Sequence, residues 1–280
     1  MRRRRWAALA CLVAAVPAGA QESGAVYLRI DPRVGDTIRT RMDQQTEMHA
    51  TARLEGEDTV VTIRSWMATV ALIRHVVENG DAKGTSLLTI IDSVAMSGEG
   101  VSLPSEQQRL VLQGRSVRTR ISPDGATEVM EGGDAVAPDI AAMFSSMPST
   151  LPDYAVKVGD SWTKTMRIPI YGDAPGRPEA MVHATFRLDS LGDRKGLAFI
   201  SMRGGITRDG PAAADRRQAR TRDTIGSITG GMVVDAYRGW ITDSRTSITV
   251  KSQLSPASSN SAPLQFQLRM TQRTQAVDRR

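Results

Sequence analysis

Three histidines are the first candidates for chemistry, because an imidazole can act as a base or as a metal ligand. They are His49, His75 and His183. His49 and His183 fall on the polar side of alternating segments, and His75 follows Arg74 at the end of a long apolar stretch. No pair has the spacing that would place two ligands on one face of a helix or strand. We therefore interpret all three as surface or strand-end residues and predict neither a catalytic base nor a metal site.

A second candidate is the serine of Ser161-Trp162-Thr163-Lys164, which matches the SxxK spacing of serine acyl-enzymes. That chemistry needs the serine on a helix with its lysine one turn away. Here the motif follows a Gly-Asp pair that is typical of a turn into a strand, and strand residues three apart point to opposite faces. Glycine-rich nucleotide-binding motifs and a GxSxG motif are absent from the sequence. We expect a protein that is not an enzyme and that needs no cofactor.

The elements that would position any site are strands. Apolar and polar residues alternate over residues 38–48, 182–189 and 264–271, which is the pattern of a strand with one wet and one buried face. Residues 59–78 are apolar or β-branched on both parities, which predicts one very long strand or two strands joined by a bulge. Turn residues separate such segments, as in meandering hairpins: Asn79-Gly80-Asp81, Pro123-Asp124-Gly125, Leu191-Gly192-Asp193 and Arg238-Gly239.

The fold class that follows is all-β, with about ten to twelve long antiparallel strands. They are expected to form curved sheets, a half-barrel or a barrel. One segment departs from the strand pattern with helical spacing, between Pro138 and Pro148. Its apolar residues are Ile140, Met143, Phe144 and Met147. We predict a short helix over residues 138–147 that covers one face or the mouth of the first half of the sheet.

Two short motifs recur in the same order, which indicates a duplicated unit. Val34-Gly35-Asp36 returns as Val158-Gly159-Asp160, and Gly80-Asp81-Ala82-Lys83-Gly84 returns as Gly192-Asp193-Arg194-Lys195-Gly196. The repeated residues are those of turns and strand starts. We predict two β-rich repeats, residues 25–148 and 150–277, with strands beginning at Asp36 and Asp160.

Residues 1–20 have the pattern of a secretory signal peptide. Four arginines precede a short apolar run over residues 6–16, and Ala18-Gly19-Ala20 supplies the small residues of a cleavage site. Processing as a lipoprotein at Cys11, and twin-arginine export, are alternatives. We predict an exported protein of the periplasm, or a secreted one, with no transmembrane segment in the rest of the chain.

Charge and cysteine content narrow the possible partners. The chain has 36 Lys and Arg against 30 Asp and Glu, and four of these Arg lie in the first 20 residues, so the positive excess outside them falls to two. That balance gives no support for a nucleic-acid partner. Cys11 is the single cysteine, so the remainder of the chain offers neither a disulfide nor a thiolate ligand.

The chain resembles an uncharacterised family of exported bacterial β-rich proteins, grouped as a domain of unknown function. The resemblance rests on the Gly-Asp strand start, on Pro152 and on the box Val156-Lys157-Val158-Gly159-Asp160-Ser161-Trp162, and it covers residues 27–277. More distantly, the layout is similar to the half-barrels that carry lipoproteins and lipids across the periplasm. The resemblance implies an exported β-rich fold and leaves the function open.

Methionine content points to two functions. The chain has 13 Met against 4 Phe and 4 Trp, and flexible thioethers suit adaptable apolar surfaces as well as gaps in a core. The first function is a carrier or sensor that holds an apolar, lipid-like ligand on a concave sheet face. Its predicted lining is Met42, Met166, Phe186, Phe266, Leu268 and Met270. The second is a structural or interaction protein of the cell envelope, with an envelope protein as its partner and with these faces filled by its own core.

Overall fold

The computed structural model describes residues 24–53, 60–103, 105–130, 149–169, 179–192, 196–208, 220–255 and 264–277. Within these ranges the chain forms eleven strands and one short helix. In chain order they are β1 (Thr37–Arg53), β2 (Val60–Asp81), β3 (Gly84–Glu99), α1 (Glu106–Leu112), β4 (Ser116–Ile121), β5 (Thr127–Val129), β6 (Ser161–Pro169), β7 (Glu179–Leu191), β8 (Leu197–Arg208), β9 (Arg220–Asp235), β10 (Trp240–Ser255) and β11 (Leu264–Ala276).

The strands make one antiparallel sheet in the order β5-β4-β3-β2-β1-β11-β10-β9-β8-β7-β6. Two meanders therefore lie side by side, and the first and last strands of the chain meet at the centre of the sheet. The sheet is open, since β5 and β6 stand at its two edges. The predicted all-β fold with long antiparallel strands is confirmed, and its form is a single continuous sheet.

The long apolar segment predicted over residues 59–78 lies almost entirely in β2. Its register with β3 shifts between Val77 and Asn79, so the extra residue Glu78 makes a bulge close to the end of the strand. A similar shift separates Leu188 from Ser190 in β7. Both bulges lie just before the first glycine of a repeated glycine-lysine motif, Gly80 or Gly192.

The two Val-Gly-Asp motifs occupy matching places in the sheet. Gly35 donates its N–H to the carbonyl of Val77 at 2.9 Å, and Gly159 does the same to Leu188 at 2.8 Å. Both glycines have positive φ, 90° and 96°, which an L side chain adopts only with strain. Strands β1 and β6 begin at Thr37 and Ser161, each one residue after the predicted start.

The glycine-lysine motifs match less closely. Gly80 lies within β2 and pairs with Thr85, whereas Gly192 follows the last residue of β7, and Gly192 stands one residue further from its bulge than Gly80 does. The structure thus repeats the local hydrogen bonding of the two Val-Gly-Asp motifs. The division into repeats at residues 25–148 and 150–277 stays a prediction.

The cross-strand register defines two faces of the sheet. The inner face carries the side chains that are buried on β7, β8 and β9, such as Phe186, Met202 and Met232, which are 0%, 8% and 9% exposed. The outer face carries their neighbours in sequence, such as Arg187 and Arg203, which are exposed. This alternation along each strand confirms the period of two that was found in the sequence.

The main core lies on the inner face of β6 to β9, towards the end of the sheet at which β1 and β6 begin. Two segments outside the strands pack over it and supply Leu28, Ile30, Leu151 and Val156, all of them buried. The segments pair with each other through backbone hydrogen bonds between Val26 and Val156. This covered end is called the closed end below.

The one described helix, α1, is not the helix that was predicted. Residues 138–147 lie outside the described part of the chain, whereas α1, between β3 and β4, was not predicted. Its Leu110 and Val111 are exposed, and Leu112 packs on a small second cluster of Ala71, Ile73 and Val117. A single partly buried apolar residue gives no periodic signal, which explains why the sequence did not reveal this helix. Among the described residues, no helix is long and apolar enough to cross a membrane.

Candidate functional site

The six residues predicted to line a ligand site all lie on the inner face. Met270 pairs with Ile248, Ile248 with Ile228, and the same row continues through Gly204 to Ala184. Side chains two or four residues away along a strand share the face of these pairs. Each predicted residue belongs to this row or is an even number of positions from a member of it, so all six share one face: Met42, Met166, Phe186, Phe266, Leu268 and Met270.

These residues differ in what covers them. Phe186 and Met166 are 0% and 6% exposed and belong to the main core. Met42 is partly buried and packs against the second cluster. Phe266, Leu268 and Met270 are half-buried and belong to neither cluster of described residues. The predicted set therefore divides into core residues on β1 and β6–β7 and a less covered group on β11.

The β11 residues continue a larger apolar surface across the central strands. Met48 of β1 lies opposite Leu268, and Ala50 lies opposite Phe266 and Ile63. On the other side Val250 lies opposite Leu268, and it packs against the main core from β10, as does Ile248. We define the apolar strip as Met48, Ala50, Phe266, Leu268 and Met270. Met48 is six residues from Met42 on the same strand and therefore faces the same side of the sheet. This even spacing could have placed Met48 in the predicted set.

Polar side chains border the apolar strip on the side of the closed end. Gln44 lies opposite Gln272 and Thr69, and Gln272 lies opposite Thr246. These four residues are defined as the polar band. Gln272 and Thr246 make no side-chain hydrogen bond within the described part of the chain, so they keep donors and acceptors for another partner.

The inner face is thus graded along the strands. The β11 side chains on this face are apolar from Leu264 to Met270 and polar from Gln272 to Thr274. The apolar end is also the end at which Ile63 of β2 is 54% exposed. Such a surface can accept an apolar chain between Leu264 and Met270 and a polar group beside Gln272, nearer the closed end.

His75 lies in a different place from the one predicted. It stands inside β2, six residues before the end of the strand, and contacts two buried hydroxyls: Thr40 Oγ1 is 3.3 Å from Nε2, and Thr89 Oγ1 is 3.0 Å from Nδ1. The ring of Trp240 is 5.4 Å away. Burial lowers the pKa of His75 to about 4. The surface or strand-end interpretation is therefore wrong for His75. Residues 59–78 are apolar or β-branched on both parities, so the sequence did not show which face of the strand His75 would occupy.

The other chemical candidates lie apart from one another. His49 and His183 are exposed on the outer face, and His183 contacts Thr165 at 3.3 Å. Ser161 lies opposite Arg187 on the outer face, while Lys164 lies opposite Ala184 and reaches Asp124 at 3.6 Å. Ser161 and Lys164 therefore point to opposite faces, as strand spacing predicts. Within the described ranges, no three His, Cys, Asp or Glu side chains are grouped to hold a metal ion.

Comparison with known proteins gives one family. The model of a family of unknown function, DUF6263, matches residues 114–241. The matched part begins just before β4, includes the Val-Lys-Val-Gly-Asp-Ser-Trp box and ends at the start of β10. It supports the expected likeness to an uncharacterised family. No curated protein matches the chain.

Proposed function

We propose that this chain is an exported, non-catalytic carrier or sensor of an apolar, lipid-like ligand, which binds on the inner face of β1, β10 and β11. The pattern of residues 1–20 supports export to the periplasm. The family match names no activity, so the surface itself supports the proposal.

The observation that carries the proposal is the position of the apolar strip at the edge of the core. Ile248 and Val250 pack against the main core, whereas Met270 and Leu268, their partners on the next strand, belong to neither core cluster. Binding of a ligand over these half-buried apolar side chains is favourable by about 25 cal/mol per Å² of apolar surface removed from water. A methionine-rich surface can adapt to chains of different shape.

The polar band sets the direction of the ligand. Phe266 and Met270 are four residues apart, about 13 Å along a strand that rises about 3.3 Å per residue. An acyl chain laid along this strip would bring its head group to Gln272 and Thr246. Those side chains can donate to and accept from an ester, amide or carboxylate. The ligand class is therefore an amphiphile with one apolar chain and an uncharged or singly charged head.

A fluorescent fatty acid, whose emission rises in an apolar environment, tests the proposal. The protein without residues 1–20 should bind the probe saturably. Phe266→Asp should weaken binding at least about tenfold, since it places a charge under the acyl chain, and tenfold corresponds to about 1.4 kcal/mol. Gln267→Asp is the matched control, because Gln267 is exposed on the outer face of the same strand.

Two results would count against a carrier. One is the absence of saturable probe binding by the folded protein. The other is an equal loss of binding in the Phe266 and Gln267 variants, which would show a general effect of charge. Either would favour the alternative, an interaction protein of the envelope.

A further inference from the structure

A groove crosses the opposite face of the sheet. It has a volume of about 530 Å³ and is lined by residues of β9, β10, β11, β1 and β2. Two parallel rows of outer-face side chains form its walls, and the backbone of the intervening row, which includes Gln44 and Gln272, forms its floor. The volume lies within the range of small-molecule sites, about 300 to 1,000 Å³.

One wall is charged. Arg245 lies directly opposite Arg273, and Arg273 lies opposite Asp43. Arg273 Nη2 is 2.9 Å from Asp243 Oδ2, while Arg245 Nε is 3.9 Å from Asp243 Oδ1. Asp43 is bound by Arg41 at 2.8 Å. Arg245 and Arg273 carry like charges on directly opposed residues and repel each other. The single carboxylate of Asp243 contacts both guanidinium groups and offsets part of this repulsion.

The charged wall has unused donors. The Arg273 side chain is 39% exposed, and its Nη2 is the atom that is bonded to Asp243. Arg245 is 67% exposed, and its contact with Asp243 is long. A bound carboxylate would accept from these guanidinium groups and would reduce their mutual repulsion.

The other wall carries hydroxyl groups. Thr229 lies opposite Ser247, and Ser247 lies opposite Thr271. None of the three makes a side-chain hydrogen bond within the part of the chain that the structure describes. Ala68 and Val70 close the groove at β2 with apolar surface. Hydroxyl groups beside a cationic pair on adjacent strands are what a sugar ring that bears a carboxylate would contact.

We propose that this groove binds an acidic sugar. Its carboxylate pairs with Arg245 and Arg273, and its hydroxyl groups bond to Ser247 and Thr271, which lie on the same two strands. The site is independent of the apolar strip, which lies on the other side of the same strands.

The test is titration of the ¹⁵N-labelled protein with glucuronic acid, with glucose and with inorganic phosphate, followed by amide chemical shifts. Glucuronic acid should give saturable shifts at Ser247 and Thr271, with glucose and phosphate each at least about tenfold weaker. Arg245→Gln should weaken the binding of glucuronic acid by about tenfold or more. Arg269→Gln, on the neighbouring strand β11 and on the same face but outside the groove, should leave it unchanged.

Three outcomes would overturn the proposal. They are shifts that do not saturate, phosphate binding as tight as that of glucuronic acid, and an equal effect of the Arg245 and Arg269 variants. The amide spectra of the variants report on folding in the same experiment. A misfolded Arg245→Gln would be replaced by Thr271→Val, which should cause the same loss.

Discussion

Ile248 and Met270 face each other across β10 and β11, yet only Ile248 packs against the main core. The row behind Ile248 contains Ile228 and Ala184, which are 7% and 1% exposed. The row ahead of it, through Met270 to Thr46, is half-buried. The edge of the hydrophobic core therefore runs between two adjacent strands of one continuous sheet.

The first prediction tests this edge with two truncations in one cross-strand row. Ile228→Ala removes a side chain that is 7% exposed and should lower the free energy of unfolding by about 2 to 5 kcal/mol. Met270→Ala should lower it by less than about 1 kcal/mol, because its side chain belongs to neither core cluster. Urea unfolding of ligand-free protein measures both. Equal losses would show that the core extends across β11.

The second prediction concerns acid stability. Burial lowers the pKa of His75 from 6.5 to about 4 in the folded chain, so the unfolded chain binds this proton first as the pH falls. The stabilising contribution is complete above pH 6.5 and is lost progressively towards pH 4. Its full size is at most about 3 kcal/mol.

Urea unfolding between pH 4 and pH 7 measures this effect. His75→Gln should flatten the pH dependence of the unfolding free energy, whatever it does to stability at pH 7. His49→Gln changes a histidine that is exposed on the outer face and should leave the profile as in the parent. The account of His75 fails if its variant keeps the parental slope.

The third prediction compares two adjacent glycines of β8. A Cβ on Gly204 would run into the carbonyl of His183 and would lie 2.9 Å from Ala184 Cα, whereas a Cβ on Gly205 would meet nothing within 4 Å. Gly204→Ala should therefore destabilise the protein by more than about 2 kcal/mol, and Gly205→Ala should be neutral or slightly stabilising. Thermal unfolding of the pair measures the difference. Similar melting temperatures would contradict the close approach of β7 and β8.

The fourth prediction concerns the closed end. Trp162 stacks on Phe186, with ring centroids 5.8 Å apart, and donates its Nε1–H to the carbonyl of Thr150 at 2.8 Å. Trp162→Phe should cost about 1 to 3 kcal/mol of unfolding free energy, since the Thr150 carbonyl loses its donor. Trp66→Phe is the control, because Trp66 is 39% exposed on the outer face, and it should cost less than about 0.5 kcal/mol. A loss as large for Trp66 would argue against this anchoring role.

Local patterns predicted most of the strands, because alternation is a property of neighbouring residues. Phe266, Leu268 and Met270 were assigned to one face of a strand from their spacing alone, and the turn at Gly239 was found from its composition, whereas the turn predicted at residues 79–81 lies at residues 82–83. The pairing of β1 with β11 joins residues more than 200 positions apart, and no local pattern records it. For the same reason the sequence grouped Met166 with Met270, although the core covers only the first.

The groove on the outer face could not be predicted from the sequence either. Arg245 and Arg273 are 28 residues apart and become neighbours only through the register of β10 and β11. Their separate positions are ordinary polar sites of two alternating strands. What makes them a candidate site is the pairing itself, which depends on the length of the hairpin between these strands.

Native mass spectrometry of the protein purified from its own host tests the central claim most directly. A carrier should retain an additional lipid-sized mass. Replacing both Phe266 and Met270 by Asp should remove that mass while the circular dichroism of the sheet is preserved, and Gln267→Asp should keep it. A parent protein that carries no bound mass, and that binds no lipid probe when one is supplied, would contradict the claim that the inner face of β11 is a ligand site.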